Sequence, residues 1–377
     1  MPSTQLRKQW MSSVRNVVVK VGTAVLTGDS GRLDRGIIAR IGGQLAELRR
    51  RGIRVTLVTS GAVGAGMGLT GQTRRPRSLP VLQATAAIGQ PALMGLYGRV
   101  FARHGLLAGQ VLVTRKDFEE RSRYVHISNT LAALHRLGAV PVINENDTTA
   151  VDELDRYADN DTIAALVTNL LRADLLVILT VVDGLLNAEG RRIDLVPQVN
   201  CDVQALVRGD RSALGSGGMA SKLGAARLVT DAGECVVIAD GRQPGVLLRL
   251  IEGERVGTIF APAPRKLSAR QRWIAGAARP AGRITVDAGA AEAVLLGGKS
   301  LLAKGITAVE GDFPRGAIVR VVSAEGITIA HGLSNYGAGE LGRIKGLKSS
   351  QFAEVLGSCP FEEAIHRDNL VLTVGRP

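Results

Sequence analysis

Six short aliphatic runs recur between stretches of helical periodicity, and this alternation constrains the fold more than any other feature of the chain. The runs are Asn16–Val21 (NVVVKV), Arg54–Thr59 (RVTLVT), Gln110–Val113, Val140–Ile143 (VPVI), Leu175–Thr180 (LLVILT) and Cys235–Ala239 (CVVIA). They are rich in β-branched residues and keep no polar–apolar alternation, as expected of strands buried on both faces of a parallel sheet. Candidate helices lie between them, at about Asp34–Arg51, Pro80–His104, Tyr124–Leu137, Asn160–Leu171 and Met219–Ala232. Repeated strand–helix units predict an open α/β sheet with helices on both sides and ligands at the carboxyl ends of its strands.

The pattern changes after residue 260. Ala261-Pro-Ala-Pro-Arg-Lys266 reads as a Pro-rich linker, followed by a helical-looking Ala269–Ala277. From Ala281 onward, short strand-like pieces (RITVD, AIVRVVS, ITIAHGLS) are punctuated by Gly, which predicts a small β-barrel. With 377 residues the chain exceeds what one core usually fills, so two domains are expected. Their expected bounds are 1–262 for the α/β part, 263–278 for the linker and 279–377 for the β-rich part.

Several classes fall away on composition. Aromatic residues make up only 3% of the chain, so a stacking platform for single-stranded nucleic acid is poorly supported. Cys201, Cys235 and Cys359 form no C-x-x-C pair, which argues against a disulfide scaffold or a thiolate zinc site and fits a reducing, cytoplasmic compartment. Residues 1–15 lack the apolar segment of a secretory signal. Ser78–Gly98 runs 21 residues without a charge, but its Pro80, Gln83, Thr85, Gln90 and Pro91 favour a buried helix over a membrane span. The net charge of +13 is uneven: +15 over residues 1–116, −7 over 117–260 and +5 over 261–377. Arg49-Arg50-Arg51 and Arg74-Arg75-Pro76-Arg77 could face an anion, although a solvated helix end and an exposed loop explain each as well.

Four motifs bear chemistry. In the first, Lys20 sits at the end of a buried run and is followed at once by Gly22 and Thr23, placing an ammonium beside a turn whose N–H groups can face phosphate. A lysine snorkelling from a strand end is the plain alternative. In the second, Thr59-Ser60-Gly61-Ala62 leads a strand into a glycine loop where Ser60 offers a hydroxyl. The sequence is not G-x-S-x-G, so a nucleophile elbow is not expected. A formal G-x-G-x-x-G at Gly66, Gly68 and Gly71 begins seven residues after the strand, and no acid follows it within twenty, so the dinucleotide reading fails.

In the third, Asn144-Glu145-Asn146-Asp147 follows a strand, and Asp159-Asn160-Asp161 opens a helix. Asn and Asp at a strand end can bind the ammonium and carboxylate of an amino acid, whereas any single one of them could be a helix cap. The fourth is Leu214-Gly-Ser-Gly-Gly-Met-Ala-Ser-Lys222, a glycine-rich loop opening a helix with Lys222 one turn inside, which favours phosphate. It lacks G-x-x-x-x-G-K-[ST], and Gly298-Lys299-Ser300 has Ala293 where that pattern needs Gly. Two lysines on glycine loops, an acid cluster and no Ser-His-Asp spacing point to phosphoryl transfer, whose transition state two fixed cations can stabilise.

K-V-G-T at 20–23 (Lys20 to Thr23), T-S-G-A at 59–62, V-I-N-E-N-D at 142–147, D-N-D at 159–161 and G-S-G-G-M-A-S-K at 215–222 together resemble the amino acid kinase family. Leu302-Ala-Lys-Gly-Ile306 and Ala330-His-Gly332, within 281–377, resemble a PUA domain. The resemblance implies a three-layer α/β sandwich with a mainly parallel sheet, and a PUA-like β-barrel behind it. It implies ATP and Mg2+ as cofactors and L-glutamate as acceptor, giving γ-glutamyl phosphate in the first step of proline synthesis.

By position, Lys20, Lys222 and Asp161 would be catalytic, with Asp161 orienting the lysines. Ser60, Asn144, Asp147 and Asn160 would hold glutamate. Lys20, Gly22, Thr23, Thr180, Val181, Ser216, Gly217, Gly218, Met219, Ala220, Ser221 and Lys222 would contact ATP, and the metal ligands are unassigned. The resemblance further implies a homo-oligomer, proline as feedback inhibitor and γ-glutamyl phosphate reductase as pathway partner. One departure stands out, since Val181 and Leu186 occupy places where the family carries an acid and an aromatic. Rival readings are another acceptor within the same family, and RNA binding through the tail.

Overall fold

The computed structural model describes residues 3–27, 32–150, 160–207, 218–277 and 279–373. Contacts divide the chain into two units, Met1–Lys266 and Leu267–Pro377. The first unit is built on an eight-stranded sheet comprising β1 (Asn16–Val21), β2 (Arg54–Thr59), β3 (Ala108–Val113), β4 (Val140–Glu145), β5 (Leu175–Thr180), β6 (Leu195–Val196), β7 (Cys235–Asp240) and β8 (Thr258–Phe260). Its order is β3-β4-β2-β1-β5-β7-β8-β6, parallel throughout except where β8 runs against β7. The six anticipated strands are all present. The two that patterning gave no sign of, β6 and β8, are the shortest.

All six residues of β1 are buried, including Lys20, which is why the run shows no alternation. The odd positions Val17, Val19 and Val21 join a core with Ile38, Ile41 and Leu45 of the helix Arg35–Arg50 and with Leu93 and Tyr97 of the helix Leu79–Ala102. Strand alternation turns Val18 and Lys20 to the other face. The helix Arg35–Arg50 starts on Asp34, whose carboxylate accepts from the N–H groups of Gly36 at 2.8 Å and Ile37 at 3.1 Å.

Topology then fixes where a ligand can sit. From β1 the chain passes outward to β2, β3 and β4, then returns across β1 to β5 and β7. β1 is paired with β2 on one side and β5 on the other, so the connections diverge at its carboxyl end and open a crevice there. The charge-free stretch forms the helix Leu79–Ala102, and no described helix is long and apolar enough to cross a membrane.

That helix crosses the helix Ala62–Thr70 backbone to backbone. A Cβ on Gly66 would fall 1.8 Å from the Thr85 carbonyl oxygen, and one on Gly89 would fall 1.9 Å from that of Ala62. Gly71 ends the helix in the left-handed region at φ 70°. The glycines that mimic a dinucleotide fingerprint therefore serve a helix crossing and a helix stop.

The second unit has a five-stranded sheet of order β10-β9-β11-β12-β13, made of β9 (Gly282–Val286), β10 (Ile306–Glu310), β11 (Ile318–Val322), β12 (Thr328–Leu333) and β13 (Leu370–Leu372). Ile284, Val286, Val319, Val321 and Ala330 form its core with Tyr336, which packs edge-on against Phe352 and Phe361. The helical-looking stretch after the linker is an α-turn, Ala269–Arg272, running into a π-helix, Trp273–Ala277.

Because Gly89 has no room for a methyl group and its obstacle is backbone, Gly89→Ala is expected to lower stability by at least about 2 kcal/mol, the scale of core overpacking. Urea denaturation of the purified variant measures this. An unchanged midpoint would mean that the crossing is looser than described.

Candidate active site

Lys20, next to last on β1, and Lys222, in the first turn and a half of the helix Met219–Thr230, converge on Asp161 at the start of the helix Asn160–Leu171. The Lys20 Nζ lies 2.6 Å from Asp161 Oδ1, and the Lys222 Nζ lies 3.1 Å from Oδ2. The Asp161 side chain has no solvent exposure, and those of Lys20 and Lys222 have 5% and 9%. Burial opposes ionisation of Asp161, but Lys20 and then Lys222 outweigh it and hold the carboxyl below its ordinary range. Asp161 is therefore an anion with both oxygens engaged. It aims two ammonium groups and is not a proton acceptor.

The turn after β1 closes beside them. Gly22 donates its N–H to the Leu179 carbonyl at 3.2 Å, and a Cβ at position 22 would lie 3.5 Å from the Lys20 Nζ. Gly22 caps the short helix Thr23–Leu26, which begins with Thr23. Gly218 caps the helix that carries Lys222 and makes no side-chain hydrogen bond to its first turn. The N–H groups of Met219, Ala220 and Ser221 form that first turn, with the positive end of the helix dipole behind them. Such a pair of turns beside two lysines suits phosphate oxygens. Ser216 and Gly217, and the loop from Leu214, lie outside the described residues.

On the other side of β1, toward β2 and β4, a second constellation is neutral. Asn160 Nδ2 donates to Ser60 Oγ at 3.0 Å and reaches Asn144 Oδ1 at 3.3 Å. Asn144 Nδ2 donates to Gln90 Oε1 at 2.8 Å. Three of the expected substrate residues, Ser60, Asn144 and Asn160, thus form one hydrogen-bonded relay, and Asn160 adjoins Asp161 in sequence. Asp147 stands half-buried on the turn that follows β4, where Ala150 donates its N–H to Asn146. Gln90 is the member that motif reading missed. It sits in the charge-free part of the helix Leu79–Ala102, 54 positions before Asn144, beside the glycine crossing at Gly89.

Thr180 ends β5, and its carbonyl accepts from the Gly241 N–H at 2.9 Å. Val181 and Val182 follow as exposed aliphatics, and Leu186 is also exposed. The turn between them is fixed from below. Asp183 takes Arg192 at 2.5 Å and Gln243 at 3.0 Å, while the Leu185 N–H donates to Thr258 Oγ1 at 2.8 Å. Among the described residues no cluster of three or more His, Cys, Asp or Glu could cage a metal ion.

The family model that describes the amino acid kinase family matches residues 15–240. The chain belongs to that family. A PUA domain model matches residues 282–356. A protein of Moorella thermoacetica named glutamate 5-kinase is 47% identical over 368 residues, covering 96% of this chain and 97% of its own. Another of that name, from Pelobacter propionicus, is 44% identical over 373 residues, covering 97% of this chain and all of its own. Among solved structures, N-acetylglutamate synthase from Neisseria gonorrhoeae, in complex with coenzyme A and N-acetyl-glutamate, aligns with a TM-score of 0.51. It covers 70% of this chain and 63% of its own at 16% identity, a likeness of fold alone.

Replacing Asp161 by Asn would leave two buried ammonium groups around a neutral amide. Its expected cost is about 3 kcal/mol of stability at pH 7, as for a buried pair that loses one partner. Because the folded carboxyl titrates below its unfolded value, ionised Asp161 stabilises the fold above roughly pH 4, and this contribution fades as pH falls through the folded value. The stability difference between the two proteins should therefore shrink as pH falls below about 4. Parallel curves across that range would contradict the ion-pair account.

Proposed function

We propose that this chain transfers the γ-phosphoryl group of ATP to the γ-carboxylate of L-glutamate, yielding γ-glutamyl phosphate and ADP, the entry reaction of proline synthesis. The observation that carries the reading is the Lys20–Asp161–Lys222 constellation at the carboxyl end of β1, flanked by turns suited to phosphate on one side and an amide relay suited to an amino acid on the other. The near full-length identity to proteins named glutamate 5-kinase supports the choice of acceptor.

The chemistry follows from the arrangement. A γ-carboxylate oxygen of glutamate forms a bond to the γ-phosphorus while the bond from that phosphorus to the β,γ-bridging oxygen breaks, and ADP leaves with the electron pair. The acceptor is already an anion, so no general base is needed, in keeping with an Asp161 that stays ionised. What the reaction demands is that two anions meet and that charge on the transferring group be met by fixed cations. Lys20 and Lys222 supply these from rigid elements, and Asp161 keeps both aimed. Gly22, Thr23 and residues 218–222 cradle the phosphates, and Thr180 and Val181 border the nucleotide. Ser60, Asn144, Asp147 and Asn160 hold the glutamate.

Magnesium enters as part of the nucleotide substrate. Both Asp161 oxygens are taken by lysines, and the described carboxylates offer no cage, which fits an ion carried by phosphates and water. The same reading extends to a cytoplasmic homo-oligomer inhibited by proline and feeding a γ-glutamyl phosphate reductase, since an acyl phosphate is labile and needs prompt consumption.

Glutamate-dependent ADP release, with hydroxylamine trapping of the acyl phosphate, tests the reading directly. Aspartate, N-acetylglutamate and nucleoside monophosphates serve as competing acceptors, and faster turnover with any of them would displace glutamate. In that assay Lys222→Met is expected to lower kcat by at least about 10²-fold with little change in glutamate KM, because the ammonium acts mainly in the transition state. Near-normal turnover would remove Lys222 from the chemistry.

A chain ending at Lys266 should remain folded and keep glutamate-dependent activity, because every proposed site residue precedes that point and the first unit has its own core. Thermal melts together with the same assay decide this. A folded but inactive product would place part of the site beyond Lys266.

A further inference from the structure

The orientation of every amide in the relay can be deduced from one main-chain bond. Asn144 Oδ1 accepts from the Glu145 N–H at 3.0 Å, and a main-chain N–H can only donate. The atom that Asn144 turns to Gln90 is therefore Nδ2, and Gln90 must answer with Oε1, at 2.8 Å. Likewise Asn160 must present Nδ2 to Asn144 Oδ1 and Ser60 Oγ. Two atoms are left at the ends of the relay: a donor, Gln90 Nε2, and an acceptor, Asn160 Oδ1.

Both atoms are buried, and neither has a hydrogen-bond partner among the described residues. Gln90 as a whole is only 9% exposed. A buried polar atom left unpaired is costly and uncommon, and two in one short relay call for a common explanation. One donor and one acceptor are the complement of an α-amino acid head, whose carboxylate accepts and whose ammonium donates. The γ-carboxylate must lie toward the two lysines, whereas Gln90 stands at the end of the relay away from Asp161. The carboxylate that reaches Gln90 is then the α one.

We infer that Gln90 Nε2 donates a hydrogen bond to the α-carboxylate of the amino acid substrate while Asn160 Oδ1 accepts from its ammonium, making Gln90 a specificity-determining residue of this site. The inference rests on the reading of the site as one for an amino acid acceptor. The crossing of Gly66 and Gly89 explains how a helix with no charged side chain over this stretch delivers the residue. It brings the turn after Ser60 against the backbone beside Gln90.

Gln90→Glu separates the donor from the positioning role. A glutamate at 90 still accepts from Asn144 Nδ2, but its carboxylate has no proton to give the substrate. At pH 8 and saturating ATP, the glutamate KM of Gln90→Glu is expected to rise at least about tenfold, the scale of one lost hydrogen bond to a charged group. The kcat should stay within about threefold and the ATP KM should hold. As pH is lowered, protonation of the new side chain restores both a donor and an acceptor, so its KM should fall back toward that of the parent protein.

A KM within about twofold of the parent across the pH range would overturn the donor role, and equal losses for both substrates would reduce Gln90 to a structural residue. Calorimetric titration of L-glutamate into the parent and variant proteins reads the same contact without turnover. Binding that weakens at least about tenfold in Gln90→Glu upholds the inference even if the parent phosphorylates some other acceptor. Equal binding by the two proteins, or none by the parent, overturns it.

Discussion

A carboxylate with no access to solvent, gripped by two ammonium groups, is the constraint that the rest of the crevice answers to. Ionised Asp161 is tolerable only while both lysines are in place, and each lysine is tolerable in its buried position only beside that carboxylate. The three groups come from β1 and from the starts of two helices, so the interaction ties together the elements that frame the site. Buried ion pairs seldom add much net stability. Here the return is positional, because charges that stabilise a transition state must already be oriented when the reactants arrive.

The two sides of the crevice solve different problems with different chemistry. Toward β5 and β7, the partner expected is a polyanion, and the sequence supplies backbone N–H groups, helix dipoles and ammonium groups. Toward β2 and β4, the partner proposed carries both signs of charge, and the relay of Ser60, Asn144, Asn160 and Gln90 is neutral. Neutral amides can donate to a carboxylate and accept from an ammonium without adding charge beside the lysine pair.

Much of this was legible because it is local. Runs buried on both faces are apolar without interruption, so β1, β2, β4, β5 and β7 stand out, and Lys20 is conspicuous as a charge inside one of them. Ser60, Asn144, Asn160 and Asp161 announce themselves as polar residues where strands end or helices begin. β6 and β8 were not legible, since two or three residues carry no period. Gln90 was not legible either. Its function depends on a tertiary crossing, and its own surroundings in sequence read as a buried apolar helix. Gly66 shows the converse, because a pattern that resembled a phosphate loop has a packing cause visible only once Thr85 is seen against it.

The two helices that carry Asp161 and Lys222 also hold each other away from the crevice. Asn169 Nδ2, two turns past Asp161, donates to the Leu228 carbonyl at 3.2 Å, two turns past Lys222. The carboxyl end of the second helix is fixed in turn, because its Thr230 carbonyl accepts the Ala263 N–H at 2.9 Å and Lys266 meets the buried Glu234 at 2.8 Å. A position set at one end of a rigid twelve-residue helix is carried to its other end, one and a half ångströms per residue. The spacing of the two ammonium groups is thus held by packed helices and the exit segment of the first unit. Elements with regular hydrogen bonds can keep charges in place to a fraction of an ångström, which loops alone do poorly. That division of labour explains why the cations sit on a strand and a helix while glycines line the turns beside them.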